Sequence, residues 1–189
     1  MREYNWIGNG VFTVTELLSG NECSELIKLS ESLGYGDAPL STSLGPVMRK
    51  DIRNNYRVVV DDALRAASLW ERAREFVPQR YRGCNSVGFN ERLRFYRYDP
   101  GQLFDWHRDG CFERPSGERS LLTVLVYLND NFTGGETSFD EPEIQTGILK
   151  IVPQPGLALF FDHPLLHKGE PVTSGRKYVL RTDVMYTAR

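Results

Sequence analysis

Cysteine is scarce in this 189-residue chain: Cys23, Cys84 and Cys111 make an odd number with no paired spacing. No disulfide framework follows from them, and reduced thiols in a reducing compartment are expected. Long apolar runs are missing as well. Nothing approaches the length of a membrane span, and the opening MREYNWIGNG lacks the apolar stretch of a signal peptide. A cytoplasmic protein with no membrane partner is therefore expected. Neither sign of charge dominates, since 23 Lys plus Arg meet 25 Asp plus Glu for a net −2. That balance argues against a dedicated nucleic-acid or membrane-surface binder. What the chain does have is apolar bulk, 40% of its residues, with ten Phe and nine Tyr. This is enough for a full core, which excludes a disordered chain, and the length suits one domain.

The first half reads as helical. Val11–Val14 alternates like a short strand. Ser19 with Glu22 forms a capping box ahead of a helix that places Cys23, Leu26, Ile27 and Ser30 on one face and stops at Gly34. Residues 37–57, DAPLSTSLGPVMRKDIRNNYR, dissolve into a long loop of the kind that often serves as a lid or binding loop. Asp61 and Asp62 can cap a second helix whose stripe runs Ala63, Ala66, Ala67, Trp70, Ala73 and Val77, with Trp70 expected in the core and Pro78 ending the helix. After residue 85 come short β-rich runs, RLRFYRY, SLLTVLVYL, GILKIV, LALFF and KYVLRTDVMY, separated by turn residues. Helices first and strands after imply an α+β layout, a β-sandwich or jelly roll buttressed by N-terminal helices.

All three histidines lie in the strand-rich half. His107 is followed at i+2 by Asp109, and in an extended segment these two side chains point to the same side. His167 or His163, about sixty residues on, is the candidate third ligand. Two imidazoles and one carboxylate on one face of a metal leave the opposite face open, as non-haem Fe(II) oxygenases require. Zinc with the same ligands is the rival, although three are too few to close a tetrahedral site unless a cysteine joins. Lys177 follows His167 by ten residues across turn residues. On the neighbouring strand it is placed to hold the distal carboxylate of a dicarboxylate chelator, because an unpaired buried charge is costly. Arg176 would face away from it. Arg181 would face with it, about 13 Å further along, either lining the pocket mouth or forming an internal ion pair.

With these residues in view, the chain resembles the prolyl 4-hydroxylase-like branch of the Fe(II)- and 2-oxoglutarate-dependent dioxygenases. RFYRYDPGQLFDWHRDG is similar to that family's tyrosine, Pro-Gly-Gln and His-x-Asp run. LLTVLVYLND followed by GGETSF resembles its next strand, glycine turn and strand, and PGLALFFDHPLLHKGEPVTSGRKYVLRTDVMY its distal-histidine segment. VFTVTELLSGNECSELI is similar to the entry strand and helix, so the likeness covers most of the chain and is weakest from about 36 to 56.

The resemblance implies one double-stranded β-helix (jelly-roll) domain over residues 1–189, with helical support roughly 15–80 and the core roughly 85–189. It implies His107, Asp109 and His167 as iron ligands, Lys177 on the distal carboxylate of 2-oxoglutarate, and Tyr98 hydrogen-bonded to that cosubstrate. Fe(II), 2-oxoglutarate and O₂ are the implied cofactors, with ascorbate a candidate accessory. The implied reaction hydroxylates a C–H bond and releases succinate and CO₂. A prolyl residue of a protein or peptide is the favoured substrate; another amino-acid side chain or a small metabolite is the alternative, and nucleic acid is disfavoured by the slightly acidic balance. Arg94, sharing a strand face with Tyr98, and Arg181 are candidate substrate contacts, while Arg97 would point outward. The loop CFERPSGER (111–119) and the basic residues Arg49, Lys50 and Arg53 have no family counterpart and fall where substrate would be met. Cys111 is expected to be a bystander. From a different class, a non-catalytic metal- or ligand-binding jelly roll would be expected to have lost a ligand or the basic anchor, and this chain keeps both.

Overall fold

Alternation along the strands organises the molecule. On the longest strand, Lys177–Tyr186, the side chains of Tyr178, Leu180, Val184 and Tyr186 enter one buried cluster, whereas Val179 enters another and Lys177 and Arg181 line a cavity beside it. Neighbouring strands repeat the pattern: Leu93 and Phe95 against Tyr96 and Tyr98, Val124 and Val126 against Tyr127, and Phe160 against Leu159 and Phe161. Period-two alternation with both faces covered is what a sheet buried between two layers requires.

The computed structural model describes residues 2–42, 45–140 and 147–188. Among these, ten strands form the larger sheet. Its order is Tyr4–Gly8, Val11–Val14, Ala158–Asp162, Arg119–Tyr127, Lys177–Tyr186, Arg92–Tyr98, Tyr56–Asp61 and Gly36–Asp37. Cys84–Phe89 also pairs with Lys177–Tyr186, and Arg80–Tyr81 pairs beyond it. The smaller sheet runs Phe104–His107, His167–Gly169, Thr137–Asp140 and Ile148–Ile151. All these pairings are antiparallel. Phe104, Phe139 and Ile151 of the smaller sheet share a cluster with Tyr96, Tyr127, Leu159 and Val179 of the larger one. No helix among the described residues is long and apolar enough to cross a membrane.

Two helices, α1 (Gly20–Leu33) and α2 (Ala63–Ala73), contribute Cys23, Leu26, Ala66, Leu69 and Ala73 to the cluster on the other face. The expected capping box opens α1, with the Glu22 N–H donating to Ser19 Oγ at 3.3 Å and the Ser19 N–H to Glu22 Oε2 at 2.8 Å. Gly34 caps its far end. The loop ahead of α1 is tied down through Gly156, whose carbonyl accepts from the Leu17 N–H at 2.9 Å while its own N–H donates to the Tyr127 carbonyl at 2.8 Å.

Three expectations need correction. Asp62 caps α2 as predicted, but the helix ends at Ala73, a turn before Pro78, where the chain tightens into an i→i+3 turn with the Phe76 N–H donating to the Ala73 carbonyl at 2.9 Å. Leu69 faces the core where Ala63 and Ala67 are exposed, and Trp70 is half-buried, packed edge-on against Phe89. Most of the predicted loop 37–57 is structured. It holds a hairpin, Leu40–Thr42 with Gly45–Val47, and leads into Tyr56–Asp61, which pairs along its full length with Arg92–Tyr98; Ser43 and Leu44 lie outside the described residues. The larger sheet thus draws strands from both halves of the chain.

Candidate active site

Strand pairing brings two histidines face to face. His107, the last residue of Phe104–His107, lies directly opposite His167, the first of His167–Gly169. Each ring is held by its Nδ1, which donates to a backbone carbonyl: His107 to Asp105 at 2.7 Å, and His167 to Leu165 at 2.9 Å. Locking Nδ1–H in this way sets the tautomer and leaves both Nε2 lone pairs directed at Asp109. His107 Nε2 is 3.7 Å from Asp109 Oδ1, and His167 Nε2 is 3.7 Å from Asp109 Oδ2. One donor atom from each residue lies within 4.8 Å of the others. Burial, then the neighbouring His167, lowers the His107 pKa to about 3, and burial lowers that of His167. Both imidazoles are therefore neutral at pH 7, the form that binds metal.

Asp109 stands just past its strand, where its N–H donates to the His163 carbonyl at 3.0 Å. Burial by itself would raise its carboxyl, but Arg181 and the two imidazoles outweigh this and hold it well below the usual range. Both carboxylate oxygens are held: Arg181 Nη1 donates to Oδ1 at 2.8 Å, and Thr123 Oγ1 to Oδ2 at 2.6 Å. Thr123 also contacts His163 Nδ1 at 2.9 Å, and His163 Nε2 contacts Ser120 Oγ at 2.9 Å. His163 is thus a supporting residue behind the cluster. Cys111 does not join it; its thiol donates to the Ser120 carbonyl at 3.1 Å. The donor set is one carboxylate and two neutral imidazoles, which leaves coordination positions open and fits Fe(II).

A narrow cavity runs inward from this cluster, between Tyr98, Leu125, Thr137 and Lys177. At its wall, Lys177 sits opposite Tyr98 in strand register and is 3% exposed. Its Nζ donates to the Gly135 carbonyl at 2.6 Å and lies 5.1 Å from the Tyr98 ring centre. No carboxylate pairs with it among the described residues, and burial, only partly offset by Glu136, lowers its pKa to about 7. Burial raises the Tyr98 phenol, so it remains a donor. A buried ammonium without a counter-charge, in one cavity with a three-donor cluster, is what an anionic chelator such as 2-oxoglutarate requires. Arg176 faces away, paired with Asp99 at 2.5 Å, as its strand position predicts.

Outside the cluster the cavity widens into a vestibule of about 570 Å³. Arg94 and Arg181 both line it, and Asp183 joins them at 3.1 and 3.4 Å. Arg97 points to the opposite face of the sheet and pairs with Glu31 of α1 at 3.1 Å. Sequence reasoning missed two residues. Thr123 was detectable as a polar residue within the apolar run Leu121–Tyr127. Arg57 had no such signal. Arg53, one of the basic residues expected where substrate is met, does line the vestibule, because its segment is stitched to Phe104–His107 through the Arg53–Phe104 bridge and a 2.8 Å bond from the Asp105 N–H to the Ile52 carbonyl.

Residues 93–182 match the family model described as the 2OG-Fe(II) oxygenase superfamily. A putative prolyl 4-hydroxylase of Acanthamoeba polyphaga mimivirus is 28% identical over 193 residues, spanning 90% of this chain and 72% of that protein. The solved viral collagen prolyl hydroxylase from Paramecium Bursaria Chlorella virus-1, in its 2OG complex, superposes with a TM-score of 0.66 at 24% identity, over 94% of this chain and 97% of that one. A Trichoplax adhaerens prolyl hydroxylase, solved with a hypoxia inducible factor peptide fragment, gives 0.70 at 19% identity over 93% and 83% of the two chains. At these identities the solved structures establish a shared fold.

Proposed function

We propose that this chain, a 2-oxoglutarate-dependent hydroxylase using Fe(II) and O₂ whose residues 93–182 match the 2OG-Fe(II) oxygenase superfamily, hydroxylates a prolyl residue of a protein or peptide. When bound, the cofactors supply the oxidising power: one atom of O₂ becomes the hydroxyl of the product, and the other enters succinate as 2-oxoglutarate loses CO₂.

The chain's own residues bind and orient. His107, Asp109 and His167 hold the metal, with Thr123 and Arg181 fixing the carboxylate between them. Lys177 pairs with the far carboxylate of 2-oxoglutarate and Tyr98 donates to it, both side chains being buried at the inner wall of the cavity. Arg94 and Arg181 face the vestibule, on the side from which substrate enters. We read the whole chain as one jelly-roll domain supported by its helices. The vestibule gives room for an extended peptide, which favours a prolyl residue in a chain over a small metabolite.

The observation that carries this reading is the pairing of the locked His–Asp–His cluster with an uncompensated buried lysine in the same cavity. An anaerobic titration with Fe(II) and then 2-oxoglutarate tests it. A visible charge-transfer band from a bidentate keto-acid chelate is expected, together with its loss in His107→Ala. Tight metal binding without the band would refute the reading.

A further inference from the structure

Six arginines face the vestibule: Arg53, Arg57, Arg92, Arg94, Arg108 and Arg181. Among the described lining residues Asp109 is the one carboxylate. Arg92 is matched by Asp61 at 3.2 Å, Arg94 by Asp183 at 3.1 Å, and Arg181 by Asp109 at 2.8 Å. Arg53, Arg57 and Arg108 are left with no carboxylate partner among the described residues. Arg108 donates to the Pro164 carbonyl. Arg53 is 4% exposed, its guanidinium lying 4.6 Å from the Tyr96 ring centre and 4.3 Å from that of Phe104. Its Nε donates to Asn55 Oδ1 at 2.8 Å, while one terminal nitrogen is buried with no partner. Beside it, burial lowers the pKa of Arg57, and Arg53, Arg94 and Arg181 add to the lowering.

A purely structural arginine is normally satisfied, because an orphaned buried donor is costly. Two aromatic faces pre-position Arg53 while one of its donors stays unused, which is the construction of a binding group. The cosubstrate does not supply the missing charge. A dication and the 2-oxoglutarate dianion cancel each other, and Asp109 is already matched by Arg181, so the excess in the vestibule persists with the inner chamber filled.

The excess is also confined. Cations close in sequence to the lining residues Ile52, Arg53 and Phe112 are paired off: Arg49 with Asp51 at 2.6 Å, Lys50 with Asp37 at 3.1 Å, and Arg114 with Glu118 at 2.8 Å. Over the whole chain the net charge is −2. A basic well inside a balanced surface suits one compact anionic group entering it, and does not suit a phosphate backbone tracking across a face.

Resting on the hydroxylase reading above, we propose that the vestibule selects a substrate bearing a carboxylate beside the C–H bond to be hydroxylated, an acidic side chain flanking the target residue, held by Arg53 and Arg57.

The test measures binding to the Fe(II)- and 2-oxoglutarate-loaded protein without oxygen, by fluorescence anisotropy. The probes are a labelled proline peptide with glutamate on both sides of the proline, and the same peptide with glutamine there. Free N-acetylglutamate and a single-stranded oligonucleotide serve as competitors. The glutamate peptide is expected to bind at least about tenfold more tightly, as a charge-assisted hydrogen bond allows. Arg57→Gln should erase the preference and Arg57→Lys restore part of it, with the Fe(II)–2-oxoglutarate band intact in both. The half-exposed Arg57 keeps the test valid if an Arg53 variant fails to fold. Competition by N-acetylglutamate as strong as by the peptide would support the carboxylate and assign it to a small molecule. Equal binding of the two peptides, or displacement by the oligonucleotide alone with steep salt dependence, would overturn the proposal. Absence of the charge-transfer band in the parent protein would refute the hydroxylase reading instead and leave the peptide comparison standing.

Discussion

Replacing Lys177 with methionine should stabilise the ligand-free protein and cripple cosubstrate binding. The ammonium is 3% exposed, and burial lowers its pKa from 10.5 to about 7. At about 1.4 kcal/mol for each pH decade, the native protein carries roughly 4–5 kcal/mol of destabilisation at pH 7. Methionine keeps a flexible unbranched stem without the charge and removes that cost. It also strands the Gly135 carbonyl, which accepts from Nζ at 2.6 Å, at a cost of about 1–3 kcal/mol. The net gain is about 2 kcal/mol, a rise in Tm of about 4–8 °C for a chain of 189 residues. In the loaded state the sign reverses. The far carboxylate of 2-oxoglutarate would be buried unpaired, at about 3–5 kcal/mol, weakening its binding by roughly two to four orders of magnitude. Thermal unfolding of the ligand-free proteins at pH 7 and anaerobic titration of the charge-transfer band measure the two effects. A Tm below the parent's, or an unshifted Kd for 2-oxoglutarate, would refute the reasoning.

The pH dependence follows from the same group. Because the folded pKa lies below 10.5, the unfolded chain holds more protons between about pH 7 and 10.5, and ligand-free stability attributable to Lys177 rises with pH across that window. The same loss of charge should raise the 2-oxoglutarate Kd about tenfold for each pH unit above about 7; a flat Kd from pH 6 to 9 would count against it. Thr123→Val keeps the shape but deletes the bond to Asp109 Oδ2, so metal affinity should fall on the order of 10–100-fold in a metal titration, with the fold retained by circular dichroism. Gly156→Ala should destabilise strongly, by at least about 3 kcal/mol in denaturant unfolding, since φ is +79° and an added Cβ would meet the Leu18 carbonyl oxygen at 1.9 Å.

The parts of this molecule that were readable in the sequence are those with local signatures. The α1 capping box is four residues long, the alternation in SLLTVLVYL and KYVLRTDVMY is intrinsic to each strand, and the His–Asp pair with a distal His and Lys carries fixed spacings. What escaped depends on partners far along the chain. Tyr56–Asp61 looked like a gap between a basic loop and a helix cap, because its three adjacent valines are half-buried or exposed and show no clean alternation. It becomes a strand only through Arg92–Tyr98. Arg53 was visible only as one basic residue among several; its place in the vestibule comes from pairing with a strand about fifty residues later. Arg181 left two readings open, pocket wall and internal ion pair, and the structure unites them in one guanidinium.

The strand Lys177–Tyr186 also polices the assembly of the sheet. A slip of one residue would drive Lys177, Arg181 and Asp183 into the apolar cluster and turn Tyr178, Leu180 and Val184 into the polar chamber. Mispairing is thus penalised on both faces at once, by buried charge on one and by lost apolar packing on the other. The ions-and-arginines chamber therefore helps to guarantee the topology that builds it, and a chain misaligned at this strand has no partly working form to fall into.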